Sequence, residues 1–227
     1  MKIIVFGDIH MVTSTLRNIE NLTLADLLIV TGDITNFGNR NDAKKVLNDI
    51  LSFNRNLLCL AGNLDNSDIN DYLEDLGMNL HGQAHMVRRR ICVFGVGGSN
   101  PTPFRTPWEF KEDELYRIAL DGHRQAKELI GLAEPITGHK IPLLFVSHAP
   151  PYGTTIDRLR NGRHVGSKAI RKFIENYSPD LCVSGHMHEA RGEDILGETR
   201  LFNPGMLMQD GWVTITLHKN HIQSKLQ

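Results

Sequence analysis

At 227 residues, with 41% hydrophobic and 22% charged side chains, the chain has the composition of a folded globular protein, which excludes a disordered or fibrous one. Twenty-five basic residues against 26 acidic ones leave a net charge of -1, so no global field draws the molecule to nucleic acid or an anionic membrane. No apolar run reaches membrane-spanning length, an acid follows the first apolar run too soon for a signal peptide, and Cys59, Cys92 and Cys182 sit in apolar runs as reduced thiols do. The expectation is one cytoplasmic domain spanning 1–227.

In chain order, residues 2–6 and 27–30 read as strands followed closely by Gly-Asp pairs, with a helical stretch between them, a βαβ unit. Val46, Leu47, Ile50 and Leu51 predict a helix over 41–53, and a strand at 57–60 and a polar helix at 67–76, stopped by Gly77, follow. Two short apolar runs, 84–87 and 91–96, flank Arg88-Arg89-Arg90 and predict an antiparallel hairpin in a mixed sheet. Three prolines in 97–108 predict a long loop, a wall for substrate. A helix at 111–132, a strand at 142–146, a second long loop, a helix at 167–177 capped by Ser167, and a strand at 180–183 come next. Residues 212–218 alternate as a half-buried strand does.

Five predicted strands end in loops rich in metal-binding residue types: Gly7-Asp8-Ile9-His10, Gly32-Asp33, Gly62-Asn63-Leu64-Asp65, Ser147-His148 and Gly185-His186-Met187-His188. In α/β sheets, ligands bind beyond the carboxyl ends of the strands, so these loops converge. A glycine before the Asp, Asn or His would let the backbone turn sharply and aim a short side chain into the crevice. One aspartate after a strand is more often a turn or cap residue, but seven oxygen and nitrogen donors without a thiolate suit two metals better than one.

In this order the motifs resemble those of the calcineurin-like metallophosphoesterases: Asp-X-His, Gly-Asp, Gly-Asn, a lone His and Gly-His-X-His. The resemblance runs from Asp8 to His188. It implies an α/β, four-layer αββα sandwich of two mixed sheets flanked by helices. It also implies one divalent metal on Asp8, His10 and His188, a second on Asn63, His148 and His186, and Asp33 bridging them. Two cations about 3.5–4 Å apart would clamp a phosphoryl group and generate a bridging hydroxide that attacks phosphorus. Asp33, Asn63 and His148 would then be catalytic through that hydroxide. The donor set fits Mn, Fe, Zn, Co or Ni, with Mn first by resemblance.

One position departs from the family pattern. Leu64 stands where the third motif usually has a histidine that assists the leaving group, and losing such an acid costs about 10²–10⁴-fold in rate. His164 is a substitute candidate, Arg158, Arg160 and Arg163 are candidate phosphate contacts, and Asp65 is a candidate positioning residue, a turn role being equally open to it. Arg88-Arg89-Arg90 reads as a solvated hairpin tip, or as a local patch for an anionic partner. His81, His85, His123, His139, His218 and His221 read as surface or structural. The expected partner is a small phosphate ester, a diester by resemblance to small prokaryotic members, with neither strong nucleic-acid binding nor membrane association. A nuclease, a phosphomonoesterase or protein phosphatase, and a metal-binding scaffold are the alternatives.

Overall fold

The computed structural model describes residues 1–218 and 221–227. Two sheets form its middle. The first has the order β11 (Ile222–Leu226), β10 (Val213–Leu217), β1 (Lys2–Phe6), β2 (Leu27–Val30) and β3 (Leu57–Cys59). The second runs β4 (Ala84–Val87), β5 (Ile91–Val96), β6 (Leu143–Ser147), β7 (Leu181–Ser184), β9 (Thr199–Asn203) and β8 (Gly192–Leu196). Strands β1 to β3 are parallel, as are β5, β6, β7 and β9, and antiparallel strands border both groups, so both sheets are mixed.

The period-two alternation of each strand sorts side chains into separate cores. Ile3, Val5 and Ile29 of the first sheet share a core with Val93, Leu144, Val146 and Val183 of the second. Their neighbours Ile4, Phe6 and Val30 point the other way, toward α1 (Arg40–Phe53) and α2 (Ser67–Asp75). Cys92, Phe94 and Phe145 likewise meet α3 (Glu112–Thr137) and α4 (Lys168–Tyr177). The order helices, sheet, sheet, helices is the expected αββα sandwich. It explains why the central strands are apolar on both faces, and truncating a buried Phe such as Phe145 to Ala would cost about 3–5 kcal/mol.

Helix starts follow local chemistry. Asn39 caps α1 by accepting from the Asn41 N–H at 2.8 Å, and Ser167 Oγ accepts from Ile170 N–H at 3.2 Å at the start of α4. Glu112 accepts from the Ser167 hydroxyl at 2.6 Å and from Ala169 N–H at 2.7 Å, which ties the start of α3 to that of α4.

Several boundaries differ from the sequence expectation. The stretch between β1 and β2 contains no α-helix but two 3-10 turns, Ser14–Asn18 and Leu22–Leu24. Its buried residues Leu16, Ile19 and Leu22 recur every third position, the repeat of a 3-10 helix, and Asn21 at φ 61° interrupts it. Helix α3 continues past 132 to Thr137, with Pro135 in its last turn, and stops at the left-handed Gly138. Strands β8, β9 and β11 had no predicted counterpart. β8 and β11 are edge strands of alternating intermediate and exposed residues, so their apolar signal is weak.

Candidate metal centre

The parallel strands point their carboxyl ends the same way, and the loops that follow bring the motif residues together. Asp8, His10, Asp33 and His188 offer ligand atoms within 4.8 Å of one another, as do Asp33, His148 and His186. Asp33 belongs to both groups. His10 Nε2 lies 3.0 Å from His188 Nε2, and Asn63 Oδ1 is 2.9 Å from His148 Nε2 and 2.7 Å from His186 Nδ1.

The backbone achieves this differently from the expectation. The sharp turns fall on the candidate ligands themselves, with φ of 48° at Asp8, His10 and Asp33 and 68° at His186, a left-handed conformation that costs a non-glycine residue about 1–3 kcal/mol. Of the glycines before them only Gly32 has positive φ. The others allow close approach: a Cβ on Gly62 would lie 2.1 Å from Asp33 Oδ1, and one on Gly7 would lie 1.9 Å from the Thr31 hydroxyl.

Hydrogen bonds fix each side chain. His148 Nδ1 donates to the Thr31 carbonyl at 3.0 Å, which turns Nε2 toward Asn63 and Asp33. Asp33 Oδ1 accepts from Leu64 N–H at 2.8 Å, and the Asp8 carboxylate accepts from His186 N–H at 3.0 and 3.1 Å. Buried Asp65 accepts from Ile34 N–H, Thr35 N–H, the Thr35 hydroxyl and Gly62 N–H at 2.7–3.0 Å. It therefore joins the loop carrying Asp33 to the loop carrying Asn63. Burial pushes the Asp65 carboxyl up, as does the neighbouring Asp33 charge. Burial also raises Asp33, but His148, His10 and His186 outweigh it and hold that carboxyl low.

The donor chemistry fits divalent cations. Thr106 donates its proton to Glu109 at 2.6 Å, so its oxygen must accept from Asn63 Nδ2 at 2.9 Å, and Asn63 Oδ1 is thereby aimed at two imidazoles. With Nδ1 of His148 committed to Thr31, its Nε2 lone pair faces the Asn63 oxygen unless a cation or proton lies between them. Carboxylates, imidazoles and one carboxamide, without thiolate, form a borderline-metal site. Neither Thr106 nor Glu109 was predicted, because a Thr-Pro-Trp-Glu run in a loop carries no motif.

The other predicted catalytic and substrate-binding residues lie in loops that follow the same parallel strands. Leu64 contributes its N–H to Asp33 and no acid. His164 Nδ1 is 2.6 Å from Asp157 Oδ1, and buried Asp157 also accepts from the N–H groups of Gly153, Thr154 and Gly166, holding the 149–166 loop in shape. Asn100 Nδ2 donates to the Val165 carbonyl, so this loop meets the 97–108 loop beside His164. Arg160 pairs with Glu189, next to His188, at 3.3 Å. Arg158 and Arg163 are exposed and enter no ion pair among the described residues. His81 packs against Trp108 and accepts from Gly97 N–H at 3.0 Å, a structural role under the first loop.

Comparison with known proteins shows the family and the fold. The calcineurin-like phosphoesterase profile matches residues 1–190, and the chain belongs to that family. Protein MJ1162 of Methanocaldococcus jannaschii is 34% identical over 209 residues, which cover 90% of this chain and 88% of that one. Among solved structures, TT1561 of Thermus thermophilus is similar with a TM-score of 0.68 at 17% identity, covering 99% of this chain and 98% of its own. A dimetal phosphatase from Danio rerio, LOC 393393, is similar with a TM-score of 0.63 at 11% identity over 100% of this chain and 95% of its own. Identities this low show a shared fold.

Proposed function

We propose that the protein hydrolyses phosphate esters, diesters in preference to monoesters, using two divalent cations. Asp8, His10 and His188 would hold one, Asn63, His148 and His186 the other, and Asp33 both. The observation that carries this reading is the presence of Asp33 in both ligand clusters. When bound, two such cations polarise phosphoryl oxygens and bring the pKa of bound water close to neutral. Manganese is the first choice, and Fe, Zn, Co and Ni suit the same donors.

The chain's own residues set what reacts. Leu64 supplies no proton to a leaving group, so good leaving groups should be favoured. His164, with Nδ1 held by Asp157, has Nε2 left to meet substrate, and Arg158 and Arg163 would bind phosphoryl oxygens while Arg160 stays oriented by Glu189. No helix among the described residues is long and apolar enough to cross a membrane, and three buried, unpaired cysteines support a reducing, cytoplasmic setting.

The test is hydrolysis of bis-p-nitrophenyl phosphate and p-nitrophenyl phosphate by metal-stripped protein titrated with Mn²⁺, Zn²⁺, Co²⁺, Ni²⁺ and Mg²⁺, with Asp33→Asn as control. Metal-dependent diester cleavage that the control lacks is the expected result. Two bound metals with no turnover would overturn the hydrolase and favour a scaffold.

A further inference from the structure

A second concave feature lies at the other end of the sheets from the metal-ligand cluster. A cleft of about 530 Å³ is lined by residues at the start of β6, β7, β9 and β11 and the end of β10, together with Arg90 just before β5 and the segment after α3. It opens on the seam between the two sheets. Strand β6 separates it from His148 by five residues, roughly 17 Å at about 3.3 Å per residue.

Its lining is strongly cationic in a chain whose net charge is -1. Arg90, Lys140 and Arg200 meet there, with His139, His218 and His221, against a single carboxylate, Asp180. That carboxylate is engaged structurally: it accepts from Leu143 N–H at 2.8 Å as well as pairing with Lys140 at 3.1 Å. Arg200 lies over the Phe202 ring, and its nearest acid, Glu193, is 4.0 Å away. Arg90 uses Nη2 on the carbonyls of Leu217 and His218, which fixes the rim and leaves its other N–H donors for a ligand. The rings of His218 and His221 stack at 4.3 Å and 13°, forming a flat side to the cleft.

We propose that this cleft is a second binding site, taking a small anion that carries two or more phosphoryl charges, remote from the metal centre. Three cations against one committed carboxylate leave an excess of two positive charges, which suits an anion with more than one phosphoryl charge. The volume falls within the roughly 300–1,000 Å³ of small-molecule sites, which favours a discrete ligand over a polymer. Guanidinium and ammonium donors recognise phosphoryl oxygens through charge-assisted hydrogen bonds. Inorganic pyrophosphate and the diphosphate of a nucleotide share this chemistry, and the imidazole pair would add stacking only for a nucleobase.

Zinc-loaded protein, titrated calorimetrically with pyrophosphate and separately with ADP, tests the site while histidine ring resonances are followed by NMR. The comparison variant is Lys140→Gln/Arg200→Gln, whose two native side chains are 81% and 42% exposed and lie outside the metal centre, so folding and diester hydrolysis should be retained. The expected result is a binding event, separate from any at the zinc centre, that moves the His218 and His221 resonances and weakens roughly tenfold or more in the double variant. Tighter ADP than pyrophosphate binding would identify a nucleotide as the source, and equal affinities the inorganic anion. Indistinguishable isotherms for the two proteins, or resonance shifts confined to His10, His148, His186 and His188, would overturn the proposal. A single His218→Gln variant that binds normally while the double variant is impaired would support a site built on cations without the stack.

Discussion

The two ends of the sheet pair solve different problems with different residues. At the carboxyl edge, short side chains sit on left-handed backbone, Asp8, Asp33 and His148 are fully or almost fully buried, and nearly every polar atom has a named partner. At the amino edge, long cations project from strand starts and from the segment after a helix, Lys140 exposed and Arg90 and Arg200 half-buried. A metal site needs donor atoms fixed to fractions of an ångström, whereas attraction of a mobile anion needs only charge and room.

The largest effect that would test this contrast is Asp33→Asn. If the proposed function holds, it should lower metal-dependent diester hydrolysis by roughly 1,000-fold or more, because Asp33 stands in both ligand clusters, yet leave the pyrophosphate response of His218 and His221 intact. Loss of both responses together would show that the two edges are one coupled site. Leu64→His should raise rates on alkyl esters with poor leaving groups about 10- to 100-fold and change p-nitrophenyl esters little; rates unchanged on both would mean that proton donation is already supplied elsewhere, with His164→Gln as the next variant to measure.

Thr106→Val is a smaller intervention, because it removes the acceptor that sets the Asn63 amide without touching a candidate ligand. Metal affinity should fall about tenfold, measured by competition with a chelating dye, with little change in affinity for pyrophosphate at the far cleft. Metal affinity equal to that of the wild type would show that the amide orients without Thr106.

A pH effect concerns His81 beneath the 97–108 loop. Burial pushes its imidazole down to about 4, so the folded protein keeps it neutral while the unfolded chain protonates it below about 6.5. Its stabilising contribution is complete above pH 6.5 and drains away as pH falls toward 4, amounting to roughly 2–3 kcal/mol. Urea melts at pH 7 and 4.5 should show a smaller loss for His81→Gln than for the wild type; parallel losses would rule out His81 as the origin.

Much of the carboxyl edge was legible because its chemistry is local. Asp8-Ile9-His10 and His186-Met187-His188 are pairs two residues apart, and each motif directly follows a continuous apolar strand. Asp65 could be read only as a turn or positioning residue, since its four donors come from two loops about 30 residues away or adjacent to it. Thr106 and Asp157 were invisible for the same reason. The 3-10 turns between β1 and β2 were mistaken for a helix because three-residue and 3.6-residue spacings coincide over one turn. The edge strands β8 and β11 carry too few apolar residues to announce themselves.

By itself the amino-acid sequence determined the donor types, their order along the chain, and the apolar strands that place them, since these rest on side-chain chemistry and short-range periodicity. Tertiary structure decided that Asp33 stands in both clusters, that Thr106 turns the Asn63 oxygen inward, and that Arg90, Lys140 and Arg200 meet at one cleft. Those relations join residues tens to more than a hundred positions apart, and only the stacking of two sheets brings them within interaction distance.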